Sequence, residues 1–446
     1  MIRARKDGLI LVFLGATVVL LLMAFLVRAR SSGAVQDFIA EYTSARCLIA
    51  HCDPYSENDV LRIYRAEGGE RSLNDDKARA IATRFVYPPS AFAVTVPFAL
   101  LPWQVARLAW MLTSACALIL GAVLAWELAR PAPILAGAFA GYLLANSEVL
   151  VVLSNPSGLA IGLTIVGAWS ILRERWAWAG VLALALALCL KPQNAGPVWL
   201  FFLLAGGLCR RRALQAFAVT AALAVPMVLW VGFVSPHWMH ELGANLQAFS
   251  VHGGLNDPGP SSRVANEFID LQVVFSRFWD ASAFYNAASL LAILPVLVLW
   301  AAALLRTRPT AEHAVLGLAT VVPLALLPVH HHLYDTKLLL LTLPALAVVW
   351  SRGGRTARVA LGLTAAAFFY SGDLSGSLWM KLLLGVPVQP GSALEWVLNA
   401  GLTFPVPLLL LALGIFYLRQ LVLAEKAATN VGTDGESPRG VSLPLA

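Results

Sequence analysis

The chain has 446 residues, 59% of them hydrophobic and 13% charged, with a mean hydropathy of +0.73, whereas a soluble domain carries about a quarter charged residues. This excludes a soluble globular domain and leaves a polytopic membrane protein. The net charge of +7 does not point to nucleic acid, because the Lys and Arg residues stand beside apolar runs, in MIRARK, CRRRAL, LLRTRP and SRGGRTAR. That is the charge bias of cytoplasmic loops.

In chain order, apolar runs predict helices at 9–27, 86–101, 104–126, 131–153, 157–172, 177–190, 195–208, 213–234, 283–305, 312–329, 337–350, 357–371 and 395–418. These make about 13 segments, long enough with tilt to cross or half-cross a hydrocarbon core about 30 Å thick. The alternating pattern of barrel strands is absent, so the expected fold is all-α, with about 12 to 13 transmembrane or half-membrane helices. The first run lacks a small-residue cleavage site and reads as a retained helix, not a signal peptide.

Placing the Arg-rich clusters in the cytoplasm leaves one crossing too many before residue 173. The segment 131–153 is the candidate for two half-helices returning to one side, since YLLANSEVLVVLSNPSG puts Asn146, Ser147, Glu148 and Asn155 into an apolar context. Both termini are then cytoplasmic, and the polar loops 28–85, 235–281 and 372–394 face outward. The expected domain spans 1–424, followed by a disordered cytoplasmic tail at 425–446. The five cysteines give no framework. Cys47 and Cys52 are five apart, a poor spacing for a disulfide within one continuous helix.

Four stretches carry chemistry. In DFIAEYTSARCLIAHCDPY, Asp37, Glu41 and Ser44 form one stripe of a short helix and Phe38, Tyr42, Ala45 and Ile49 another, which predicts an amphipathic helix at the interface. Asp37 is placed either to cap that helix or to act as a base. In TRFVYPPSAFAV, Pro88 and Pro89 set a helix start and Tyr87 stands at the interface, as an aromatic-belt residue or a substrate contact.

Lys191, in CLKPQNAGP, lies between two short runs, where it either snorkels outward or faces an anion in a cavity. His330, His331, His332 and Tyr334, in HHHLYD, form the densest polar cluster near a helix end. Three adjacent histidines lack the i, i+4 spacing of a helical zinc pair, so phosphate contact at a cavity mouth, or plain interfacial solvation, is the reading there. No Walker loop, dinucleotide fingerprint or GxSxG motif occurs in the sequence. No metal, cofactor or nucleic acid is required by any of these residues.

The first loop, with Asp37, Phe38, Tyr42, Ala45, Leu48, Pro54 and Tyr55, and the FVYPPSAFAVTVPFALLP segment resemble the pattern of glycosyltransferase family 87 over about residues 5–420. WAWAGVLALALALCLKPQ and HHHLYDTKLLLLTLPAL resemble later family segments, and Asn155 in SNPSG stands where the family commonly has Gly-Gln. The resemblance implies a GT-C fold in a bacterial inner membrane, taking a hexose or pentose, mannose first, from a polyprenyl-phosphate donor. It further implies a glycolipid or glycan acceptor, inversion, and an active site facing the periplasm.

Asp37 is then the expected general base, with Glu41, Tyr42, Tyr87, Asn155, Lys191, His330, His331, His332 and Tyr334 as substrate-binding candidates, and Arg84 and Arg263 behind them. Membrane lipids are the remaining partner. The alternatives are a transporter or flippase of lipid-linked sugars, which would keep function without a carboxylate in the first loop, and a structural subunit.

Overall fold

The computed structural model describes residues 15, 17–18, 37–69, 76–260, 262, 265–306, 310–372, 392–398, 401 and 404–433. The expected first helix at 9–27, most of the outer loop 372–394, Arg263 and the tail beyond Thr433 lie outside these residues, apart from the few named. Among the described residues all regular elements are helical, beside one isolated antiparallel bridge between Phe268 and His332.

Among the described residues, five helices are long and apolar enough to cross a membrane: Trp103–Leu128, Gly207–Val234, Ser282–Arg306, Leu333–Ser351 and Pro405–Lys426. Shorter apolar helices, including Pro89–Ala99, Pro133–Ala145, Pro156–Leu172, Ala177–Leu190 and Ala311–Ala325, pack among them. The expected span at 86–101 is therefore corrected. A short 3-10 turn at Pro89–Ala91 leads into Phe92–Ala99, and at 1.5 Å per residue the whole is about 16 Å long, half a hydrocarbon core.

The segment 131–153 breaks as the polar residues require. Asn146 Nδ2 donates to the Tyr142 carbonyl at 2.9 Å and Ser147 Oγ to that of Leu143 at 2.6 Å. Side chains that bond back to the preceding turn compete with the helical ladder, and the helix stops at Ala145. A five-residue helix, Glu148–Val152, follows. Ser154 then takes a left-handed φ of 55°, and Pro156 opens the next helix from the first-turn position that suits proline.

Small residues let the central helices approach closely. A Cβ on Gly162 would come within 2.5 Å of the Ala117 backbone, and one on Gly180 within 2.4 Å of the Ser170 side chain. These contacts seat Pro156–Leu172 between Trp103–Leu128 and Ala177–Leu190 without the hydrophobic driving force that water would provide.

The loop expected to face outward, 28–85, is helical over much of its described part. It holds the helices Phe38–Ile49, Glu57–Ala66 and Asp76–Thr83. Phe38–Ile49 does not lie at an interface as an amphipathic helix: Phe38, Tyr42, Ala45 and Leu48 on one face, and Glu41 and Ser44 on the other, are all buried. The helix ends at Ile49, and His51, with φ 57°, turns the chain back so that Cys47 and Cys52 form a disulfide with Cα atoms 4.9 Å apart. The spacing argument against that bond assumed a helix that continued. At the other end of the chain the last helix runs to Thr433, past the expected tail boundary.

Candidate active site

The turn between Val152 and Pro156 organises the centre. Trp110 Nε1 donates to the Ser154 carbonyl at 2.9 Å, and the Asp37 backbone N–H donates to the Leu153 carbonyl at 2.9 Å. Asn155 caps the helix Pro156–Leu172, its Oδ1 accepting from the Ser157 N–H at 2.8 Å. Its Nδ2 remains available and donates to Asp37 Oδ2 at 2.6 Å and to the Tyr334 hydroxyl oxygen at 3.1 Å. Asn155 thus joins the first loop to the HHHLYD stretch.

Asp37 begins its helix but makes no side-chain cap. Its carboxylate is held by Asn155, and its other oxygen has no hydrogen bond among the described residues. Burial lifts this carboxyl above its ordinary 3.8, against the opposing effects of the Asn155 hydrogen bond and the Lys191 charge. A carboxylate with one free oxygen and a raised pKa is suited to take a proton. Glu41, one turn on, is pushed well above 4.5, first by burial and then by the Asp37 charge, against a hydrogen bond from its own backbone. Its Oε2 is buried without a hydrogen-bond partner among the described residues.

Lys191 is the one residue between the helices Ala177–Leu190 and Pro192–Ala205. Its ammonium faces an anion, and the anion is internal: Asp335, whose Oδ1 and Oδ2 accept from Nζ at 3.0 and 3.3 Å. Ser157 Oγ also accepts from Nζ, Asn194 Nδ2 donates to Asp335 Oδ1 at 2.8 Å, and the ammonium stands 5.5 Å from the centre of the Tyr334 ring. With Lys191 6% and Asp335 1% exposed, this is a buried, fully partnered pair. It is no uncommitted cation waiting for phosphate.

The histidines do not diverge as neighbours on a helix would. The backbone is extended at His332, and the 3-10 helix starts at Leu333, so His330 and His332 fall on the same side, with ring centroids 4.8 Å apart and Nε2 atoms 3.2 Å apart. Phe268 packs edge-on against both rings, and His332 stacks on Tyr334. His331 points elsewhere, its Nδ1 2.9 Å from the Val329 carbonyl.

Burial is the first cause that lowers all three imidazoles, His332 to about 4. They are therefore neutral at pH 7 and offer N–H donors rather than charge. Asp270, which accepts from the backbone N–H groups of His331 at 3.2 Å and Gln272 at 2.9 Å, is raised by burial to about 7. Reading the sequence missed Asp335, Asp270, Ser157 and Asn194. Glu267 was missed as well, and it lies within electrostatic reach of Asp37.

Two candidates are not brought to this centre. Tyr42 points the other way, its ring packed on Trp103 and its hydroxyl donating to the Leu101 carbonyl at 3.0 Å. Arg84 pairs with Glu57 at 3.1 Å instead. Tyr87 does belong: after burial, the charges of Glu41, Asp37 and Asp335 raise its hydroxyl pKa.

The family model for glycosyltransferase family 87 matches residues 85–329, more than half of the chain. The match contains Tyr87, Asn155 and Lys191, while Asp37, Glu41, Tyr42 and His330 to Tyr334 lie outside it, so it is narrower than the resemblance over 5–420. No curated protein matches the chain, and no solved structure does. With a helical, multi-span architecture and a family match across most of its central helices, the chain belongs to glycosyltransferase family 87 and is a membrane glycosyltransferase.

Proposed function

We propose that the protein transfers a hexose or pentose, mannose first, from a polyprenyl-phosphate donor to a glycolipid or glycan acceptor on the periplasmic side of a bacterial inner membrane. The carrying observation is the Asp37 carboxylate, half-buried, raised in pKa, oriented by Asn155 and without a hydrogen bond on its other oxygen among the described residues. A sugar hydroxyl is a poor nucleophile. Asp37 removes its proton as the oxygen attacks the anomeric carbon, the bond to the donor phosphate breaks on the opposite face, and the configuration inverts.

The leaving phosphate carries its negative charge away with the lipid. His330 and His332, whose rings share one side of the extended segment, serve in this reading as hydrogen-bond donors to it, and protonation on its approach would add charge. Lys191 acts from behind, holding Asp335 and with it the start of the Leu333–Thr342 helix. The Cys47–Cys52 disulfide supports the outward placement of the Asp37 loop, because disulfides persist in oxidising compartments.

The test is transfer of radiolabelled sugar from polyprenyl-phosphate mannose, glucose or arabinose to membrane extracts. Asp37→Asn keeps the shape but cannot accept the proton, and is expected to lose transfer by about 10² to 10⁴ with normal yield. Glu41→Gln is expected to do much less. Retention of more than about a tenth of the activity in Asp37→Asn, a smaller loss than removal of a general base causes, rejects Asp37 as the base.

A further inference from the structure

A cleft of about 410 Å³ is lined by Glu57, Arg79, Arg84, Phe249, Gly254 and Leu255 among others, and no residue of the Asp37 centre lines it. That volume lies within the roughly 300–1,000 Å³ of ligand pockets. Its charges are arranged in an unusual way. Glu57 is shared between two arginines, Oε1 accepting from Arg79 Nε at 2.9 Å and Oε2 from Arg84 Nε at 3.1 Å. Each guanidinium thus spends its inner nitrogen on Glu57 and keeps its terminal amino groups without a hydrogen bond among the described residues. Two cations and one carboxylate leave a net charge of +1 at the cleft, with paired donors in the fork geometry that suits carboxylate or phosphate oxygens.

The cleft is wired to the reaction centre by a short piece of backbone. Arg84 and Tyr87 are three residues apart in an irregular segment, so their Cα atoms are within about 11 Å. The segment is clamped: Asn245 Nδ2 donates to the carbonyls of Phe85 and Tyr55, both at 3.1 Å, and the Tyr55 hydroxyl donates to that of Tyr87 at 2.8 Å. Asn245 sits on Trp238–Ser250, the helix whose last turns supply Phe249 to the cleft. A ligand held by Arg79 and Arg84 is therefore held in fixed register with Tyr87, whose hydroxyl senses the charges of Asp37 and Glu41.

We propose that this cleft anchors an anionic sugar residue of the acceptor, one bearing a carboxylate or phosphate, a short way along the glycan from the hydroxyl that reacts at Asp37. The proposal rests on the transferase reading above. Phe249 offers an apolar wall for a sugar ring, and Glu57 retains lone pairs for sugar hydroxyls.

The experiment is calorimetric binding to the purified full-length protein in neutral detergent at low salt, with glucose 6-phosphate, glucuronate, glucose and inorganic phosphate as probes. Glucose 6-phosphate and glucuronate are expected to bind more tightly than glucose or phosphate, and Arg84→Gln to weaken both by about tenfold, as loss of a charge-assisted hydrogen bond does. Glu57→Gln removes the competing carboxylate and is expected to tighten them, a gain that misfolding cannot mimic. Asp37→Asn should leave this binding intact, so a failure of the base assignment, read by transfer, is separate from a failure here. Equal binding of glucose and glucose 6-phosphate, no response to Arg84→Gln, or inorganic phosphate binding as tightly as the sugar phosphate overturns the proposal.

Discussion

The helix Pro156–Leu172 carries a cation–carboxylate cluster at each end, and the two clusters are built on opposite terms. Just past its C-terminus, Arg173 pairs with Glu127 at 3.1 Å, a carboxylate that also accepts from Trp169 Nε1 at 2.6 Å and from Arg130. Nearby charged turns behave alike, with Arg212 on Glu174 at 3.5 Å and Arg352 on Glu312. At its N-terminus, Ser157 accepts from Lys191, whose partner Asp335 is sealed from solvent. These arginine pairs keep at least one partner partly exposed, and each stabilises by about 1 kcal/mol or less. The other end buries one pair and satisfies its remaining atoms with Asn194, the His332 N–H and Ser157. Rim pairs tolerate loss of a partner, and the buried pair does not.

The comparison breaks most visibly at Asp335. Asp335→Asn leaves the Lys191 ammonium buried and uncompensated, and is expected to cost about 3–5 kcal/mol. Thermal unfolding in detergent reads this, and the double variant Lys191→Met with Asp335→Leu is expected to recover most of the loss. A single-variant cost below about 1 kcal/mol would put this pair in the rim class.

The second prediction concerns pH. Asp37 works only when ionised and burial raises its pKa, so transfer is expected to fall about tenfold per unit as pH drops through a value above 3.8. The sign for stability is opposite: a carboxyl whose pKa rises on folding is favoured by protonation, so this group does not promote acid unfolding. A kcat/KM profile with its acid limb at or below 3.8 would contradict the burial of Asp37.

A smaller effect is expected from Cys47→Ser. Losing a bond that closes so short a loop costs about 2 kcal/mol by chain entropy. An unchanged unfolding midpoint under reductant would show that the turn at His51 holds itself. Smallest is Arg212→Gln at the rim, expected to change stability by less than about 1 kcal/mol. A larger loss would erase the distinction between the two ends.

Much of this was legible in local chemistry. Asn155 before Pro156 is a helix start, and Asn146 and Ser147 in apolar company are a helix break. The site was legible in part, because Asp37, Asn155, Lys191, His330, His332 and Tyr334 do converge. What local chemistry could not supply was pairing. Lys191 and Asp335 are 144 residues apart, and only tertiary packing reveals that each answers the other's charge. A signal was present: a lysine in an apolar run needs an anion, and YDTK supplied one.

One other misreading came from extending a helix too far. Continuing the first outer helix past Ile49 hid the Cys47–Cys52 bond, although Asp53-Pro54 is a turn signal. The burial of Glu41 and Ser44 was invisible for a different reason: their covering elements come from other parts of the chain.

The Leu333–Thr342 segment is a ten-residue 3-10 helix, long for a form that usually lasts three or four residues. At about 2.0 Å per residue it covers roughly 20 Å where an α-helix would cover roughly 15 Å. Followed by Leu343–Ser351 in α geometry, it reaches roughly 33 Å from only 19 residues, a full hydrocarbon thickness from a stretch nominally too short for comfort. Asp335, anchored to Lys191 near the N-terminal end of this stretched segment, therefore acts as a tether on its extension. Rewinding to α geometry would shorten the segment by about 5 Å and draw the histidine-bearing end inward against that tether.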